Sequence, residues 1–164
     1  MPSKNSTSYY RNFVFGVEDS LVSTVGLLSG ISVAGASGKT VIATGMVLIF
    51  VEAISMGAGS FLSESSAEIY ENHRDHVTRR SYIDALVMSV SYLISGLIPL
   101  FPYFFFSPYI AFWSSIGFTL LALVMLGVIN AEVSGTSFGK NIIRMILVSG
   151  SAIIAGSFIG QLFG

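Results

Sequence analysis

The chain has 164 residues, 52% of them hydrophobic and only 10% charged, with a mean hydropathy of +0.76, a formal net charge of −1 and a pI near 6.0. Too few charges are present to solvate a globule of this length, since a soluble domain carries about 25%, and the near-neutral balance excludes a basic nucleic-acid-binding surface. The lack of cysteine excludes disulfides, thiolate metal sites and cysteine nucleophiles.

Lipid is therefore the expected solvent, and the fold class is an all-α integral membrane protein, a single membrane domain over residues 1–164. Residues 1–11 are polar, and no small-residue cleavage site follows the first apolar run. The stretch from Phe13 onward thus reads as a retained membrane helix and not a removed signal. A spanning helix needs about 20 mostly apolar residues. Five stretches meet that length, at residues 13–35, 41–62, 82–104, 109–129 and 142–163. A short helical segment at 63–80 is the one sizeable polar connection.

Five spans place Lys4, Arg11, Arg74, Arg79, Arg80, Lys140 and Arg144 on one side and Lys39 alone on the other. The excess of positive charge marks the cytoplasmic side. The amino terminus and the 63–80 segment are then cytoplasmic, and the carboxyl terminus lies opposite. In the first span Gly26 and Gly30, and in the fifth Gly156, Gly160 and Gly164, repeat at four-residue spacing. Such spacing lets helix backbones approach closely in lipid, either within one chain or across a dimer interface.

The apolar spans also contain acids. An ionised side chain near the bilayer centre costs about 2.5–3.5 kcal/mol on insertion scales. Yet Glu18 and Asp19 lie about 10 Å into the first span, and Glu52 about 15 Å into the second, at 1.5 Å per residue. No lysine or arginine within the apolar spans is placed to neutralise them, since Arg11 and Arg144 sit at helix ends. A carboxylate so placed either stays protonated, bonded to a neighbouring helix, or meets an external cation. Alternation between those states is what proton-coupled cation transport requires. Asp84, near the start of the third span, reads first as a helix-start or snorkelling residue.

Met56 follows Glu52 by four positions, so the two share a helix face. It also lies at a depth similar to that of Asp19. A carboxylate and a thioether at one level suit a borderline transition metal, whereas oxygen ligands alone favour magnesium, calcium or manganese. A lone methionine in such a helix is more often core filler. In the 63–80 segment Glu64, Glu68, Glu71 and Asp75 fall at i, i+4, i+7 and i+11, with His73 and His76 nearby. This is either a stripe that collects divalent ions at the cytoplasmic mouth or a solvated face offset by Arg74, Arg79 and Arg80. No GxxxxGK[ST], HExxH or GxSxG occurs, so nothing points to a nucleotide motor or a hydrolase, and no cofactor or enzymatic activity is expected.

Three motifs carry a resemblance. The run Arg11 to Ser23, RNFVFGVEDSLVS, resembles the first-helix signature of the vacuolar iron transporter family. AISMGAG at 53–59, followed by Phe61, Leu62 and Ser63, resembles its second-helix motif, and GLIPLFPY at 96–103 its third. The resemblance implies a five-helix homodimer that exports iron(II), and often manganese(II), from the cytoplasm in exchange for protons. It assigns metal binding to Asp19 and Met56. The family's Asp-Gly is Asp19-Ser20 here, its acid after Gly-x-Gly is Ser60, and its acid eight before the methionine is Leu48. Glu52 stands where a small residue is usual, and of the family's long glutamate-rich cytoplasmic domain only about eighteen residues remain.

The expected function is proton-coupled export of iron(II) or manganese(II). Asp19 and Met56 bind the ion, Glu18 and Glu52 assist or carry protons, and Glu64, Glu68, Glu71 and Asp75 attract metal at the entrance. Pro99 and Pro102 kink the third span beside the pathway. The alternatives are a non-transporting membrane module of the same fold, or transport of another cation such as calcium or nickel. The short length and lack of targeting signals suit a prokaryotic plasma membrane, with a vacuolar membrane as the other setting.

Overall fold

The computed structural model describes residues 4–72 and 78–164. Six helices run through them: α1 Lys4–Val33, α2 Gly38–Asn72, α3 Arg79–Leu100, α4 Pro102–Phe105, α5 Pro108–Ser134 and α6 Phe138–Phe163. All but the four-residue α4 are long and apolar enough to cross a membrane. Large apolar side chains such as Phe50, Ile54, Ile94, Leu121 and Ile154 point outward around the bundle. A water-soluble monomer does not expose apolar surface this widely. The chain is an integral membrane protein.

The helix ends follow from local chemistry. Gly35 (φ 81°) and Gly135 (φ 63°) adopt the left-handed conformation just past α1 and α5, where a side chain would clash. The Gly135 N–H bonds back to the carbonyls of Ala131 and Glu132. Ser37 accepts the Thr40 N–H at 3.3 Å and so starts α2. The third span was expected to run to Phe104, but α3 stops at Leu100. Pro102 has no N–H to continue the ladder, and α4 takes up the chain from there. The second span was expected to close at Leu62, with a separate polar segment following. Instead α2 continues unbroken to Asn72, a 35-residue helix of about 52 Å against a hydrocarbon core of about 30 Å.

Helix α1 is the shared wall of the bundle, packed most extensively on α6 and α3 and also touching α5 and α2. Leu21, Val25 and Leu28 on it are fully buried. Leu28 joins Val41, Ile49, Leu100 and Tyr103 in one core cluster, and Leu21 joins Leu123, Leu126 and Met145 in another. The α1–α6 contact is made by glycine. A Cβ built on Gly30 would lie 2.7 Å from the Gly156 carbonyl oxygen, and one on Gly156 or Gly160 would strike the carbonyls of Gly26 and Gly30. The four-residue glycine repeats thus serve packing within the chain. Because Gly26 meets Gly156, Gly30 meets Gly160 and Ala34 meets Gly164, α1 and α6 run parallel. The two chain ends therefore lie at opposite ends of the bundle.

At the end where α1 begins, a polar clasp joins three helices. Asp84 of α3, 0% exposed, accepts hydrogen bonds from Ser8 Oγ at 3.0 Å and Asn12 Nδ2 at 2.7 Å, both on α1. Ser60 of α2 donates to Asn12 Oδ1 at 3.2 Å. Arg80 places Nε 3.7 Å from Asp84 and Nη2 3.6 Å from Glu64, and Arg11 forms an ion pair with Glu64. Asp84 is thus an interior acceptor, not the snorkelling residue its position suggested. Beyond it, Glu68 of α2 accepts from the Thr78 N–H at 3.0 Å and Ser81 Oγ at 3.1 Å. It satisfies the start of α3, where no local side chain does so.

Two stability predictions follow from these contacts. Gly156→Leu forces α1 and α6 apart and lowers stability by about 1–3 kcal/mol, whereas Gly150→Leu, with open space around its Cβ, leaves the melting temperature in detergent near that of the unaltered protein. Asp84→Ala strands the buried donors of Ser8 and Asn12 and costs about 1–3 kcal/mol, with Asp84→Asn losing less because one acceptor oxygen remains; thermal unfolding in detergent measures both.

Candidate metal site

Three helices each turn one chemically distinctive stripe toward a common seam. On α2, Glu52, Met56, Ser60 and Glu64 recur every fourth residue, so they stay on one slowly drifting face. On α3, Asp84, Met88 and Tyr92 recur in the same way, and on α1 the stripe is Asn12, Gly16, Asp19 and Ser23. The stripes meet in register. Asn12 bonds to Asp84 and Ser60 as described. Farther along, Ser20 Oγ donates to the Tyr92 carbonyl at 2.6 Å, and the Tyr92 and Ser23 hydroxyls lie 2.7 Å apart.

Between the clasp and the interior lies a cavity of about 310 Å³, whose lining includes Arg11, Asn12, Met56, Ser60, Glu64 and Met88. Two methionines, Met56 from α2 and Met88 from α3, line it together with Phe15 from α1. One turn deeper on α2 is Glu52. It lies within electrostatic reach of Asp19 on α1, and both acids are within reach of the buried Tyr92 hydroxyl. Among the described residues no basic side chain pairs with Asp19, Glu52 or Glu18. From the clasp inward the seam therefore presents an ion-paired carboxylate, then thioethers, then two carboxylates, then hydroxyls.

The residues expected from the sequence fall into three groups. Asp19, Met56 and Glu52 are brought to the seam. Glu18 is half-buried, about 100° round the helix from Asp19, with no hydrogen bond or ion pair among the described residues. Of the α2 stripe, Glu64 lines the cavity but is 8% exposed and held by Arg11 and Arg80. Glu68 is engaged at the start of α3, and Glu71 is exposed near the end of α2. Asp75, with His73 and His76, lies outside the described residues. Sequence reasoning missed Asn12, Ser23, Met88 and Tyr92. The signal for two of them was the four-residue step from Asp84 to Met88 to Tyr92.

Chemically, the seam supplies few ligands. Among the described residues, no three histidine, cysteine, aspartate or glutamate side chains gather where a metal could be held. Two carboxylates and two thioethers offer mixed hard and soft donors.

The sequence matches the profile described as the VIT family over residues 10–82 and 72–161. The match breaks and restarts where α2 passes to α3. The chain is 25% identical to Vacuolar iron transporter 1 of Tulipa gesneriana over 193 aligned positions, which take in 80% of this chain and 78% of that protein. That alignment is longer than the chain's 164 residues, so the tulip protein holds stretches with no counterpart here. Vacuolar iron transporter 1 of Oryza sativa subsp. japonica is 41% identical over 58 residues, 35% of this chain and 23% of that one. With a profile match extending from residue 10 to residue 161, through all five long helices, the chain belongs to the VIT family.

Proposed function

We propose that this protein moves iron(II) or manganese(II) out of the cytoplasm through the α1–α2–α3 seam in exchange for protons. The observation that carries the reading is the pair Asp19 and Glu52, two carboxylates in apolar spans, within reach of each other and with no base beside them. Two like charges in low dielectric do not both stay ionised without a cation. Metal entering the seam compensates them and displaces protons; metal leaving lets protons return. Met56 and Asp19 bind the ion, Glu52 carries the proton and stands in for the acid absent at Leu48, and Glu18 adds negative charge beside Asp19. The relatives' names, both vacuolar iron transporters, support iron as a substrate.

Direction is supported by charge. Arg11, Arg79, Arg80, Lys140 and Arg144 all belong to the helix ends at the clasp, and Lys39 to the opposite end, which the positive-inside rule reads as a cytoplasmic clasp. Glu64, Glu68 and Glu71 then stand at the entrance. A homodimer belongs to the same reading, since one chain leaves the ion short of ligands. A passive membrane anchor has no use for uncompensated acids that cost about 2.5–3.5 kcal/mol each to insert, and the seam argues against it.

Flux measured in proteoliposomes with iron(II) or manganese(II) and an internal pH dye tests the proposal. Asp19→Asn and Met56→Ala each lower metal flux at least about tenfold, the scale of losing one group around a metal. Glu52→Gln lowers the proton flux that accompanies metal. Unchanged flux in both Asp19→Asn and Met56→Ala refutes the site.

A further inference from the structure

Met88 is a seam residue that lies outside the three motifs. It is 4% exposed, and an internal methionine on a membrane helix ordinarily fills space. Its surroundings differ from those of a filler. Its side chain lines the same cavity as Met56, beside the polar groups of Asn12, Ser60 and Glu64. Gly16 on α1 faces this turn of α3: a Cβ there would strike Ser91 Oγ and lie 3.0 Å from the Met88 carbonyl oxygen and 3.2 Å from the Met88 sulfur. Glycine there lets Ser91 and the Met88 turn of α3 come close to the α1 backbone, with the thioether alongside, three residues before Asp19. One turn above Met88 on α3, the Tyr92 hydroxyl meets Ser23 near Asp19 and Glu52.

The two methionines therefore form a tier between the cavity and the carboxylate pair. Met56 is one turn from Glu52 on its helix, and Met88 faces the turn of α1 that carries Asp19. Resting on the transport reading above, we propose that Met88 is a second thioether donor and a specificity-determining residue. With Met56 it gives the route a soft step that an ion crosses before reaching the carboxylates. Thioethers bind iron(II) better than they bind manganese(II) or magnesium, which prefer oxygen. The pair thus raises the rate for iron(II) relative to manganese(II), while the carboxylates serve both ions. Nothing covalent changes, and no proton moves at this tier.

The test is competitive uptake of iron(II) and manganese(II) by proteoliposomes, read as the ratio of the two fluxes. Leucine conserves the volume and removes the sulfur, a substitution cores tolerate well. Met88→Leu lowers the iron-to-manganese ratio about tenfold, at the low end of what removing one group near a metal costs, and leaves manganese flux largely intact. Met88→Gln, which replaces sulfur by an oxygen donor of similar length, shifts the ratio the same way. Met145→Leu, altering a buried methionine of the α1–α5–α6 core, leaves the ratio unchanged. If Met88→Leu and Met88→Gln keep the ratio of the unaltered protein while Asp19→Asn abolishes flux, Met88 is packing and the proposal falls, but the transport reading stands. If the unaltered protein moves neither metal, both fall.

Discussion

The cost of a charge in a low-dielectric span is the constraint around which this bundle is arranged, and the protein meets it in two ways. Where α1 begins, buried acids are given partners. Asp84 receives two hydrogen bonds and has the Arg80 guanidinium 3.7 Å away, and Glu64 is paired with Arg11 and Arg80. Deeper in, Asp19 and Glu52 lie within electrostatic reach of each other, with no basic partner among the described residues. The first arrangement consumes its charges in holding α1, α2 and α3 together. The second leaves charge uncompensated, and only a mobile cation or protons can balance it. The proposed transport rests on that difference.

Packing makes the difference possible. Lipid supplies no hydrophobic drive between helices, so close contact depends on small residues and polar bonds. On the α6 side of α1 the contact is backbone on backbone, with Gly156 and Gly160 against Gly26 and Gly30. On the α3 side it is polar, with Ser8, Asn12, Ser20 and Ser23 bonded to α3. One helix thus presents a glycine-packed face and a hydrogen-bonded face. The glycine face fixes α1 in place, so the polar face can hold Asp19 at a defined level against α2 and α3 with no bond to Asp19 itself among the described residues.

How much of this was legible in the sequence depends on the range of the interaction. The five spans, and Asp19 and Met56 as candidates, are visible because an apolar run, an acid within it and a four-residue step are local signals. The extent of α2 was misplaced at Leu62 because polarity changes there, yet the stripe Glu64, Glu68, Glu71 is itself helical spacing, and α2 runs through it. The end of α3 was misplaced because Pro102 weighed less than the apolar residues around it. Of the seam, only the shared depth of Asp19 and Met56 and the shared face of Glu52 and Met56 could be read. Its bonds join residues 76, 72, 69 and 48 positions apart, and Met88 and Tyr92 look like ordinary apolar filler until α1 and α2 are laid beside them.

The clasp also bears on how an ion reaches the seam. Glu64 belongs both to the clasp and to the cavity wall, so its charge is shared between holding helices and facing the route. Its two partners are not equivalent. The Arg11 side chain is 65% exposed; the Arg80 side chain is 25% exposed and also faces Asp84. On the proposed route a cation arriving at the cavity competes with the exposed Arg11 for Glu64, while Arg80, Asp84, Asn12 and Ser8 keep the three helices in register. Separating the exposed Arg11 contact from the buried network lets the proposed mouth exchange charge without loosening the wall behind it.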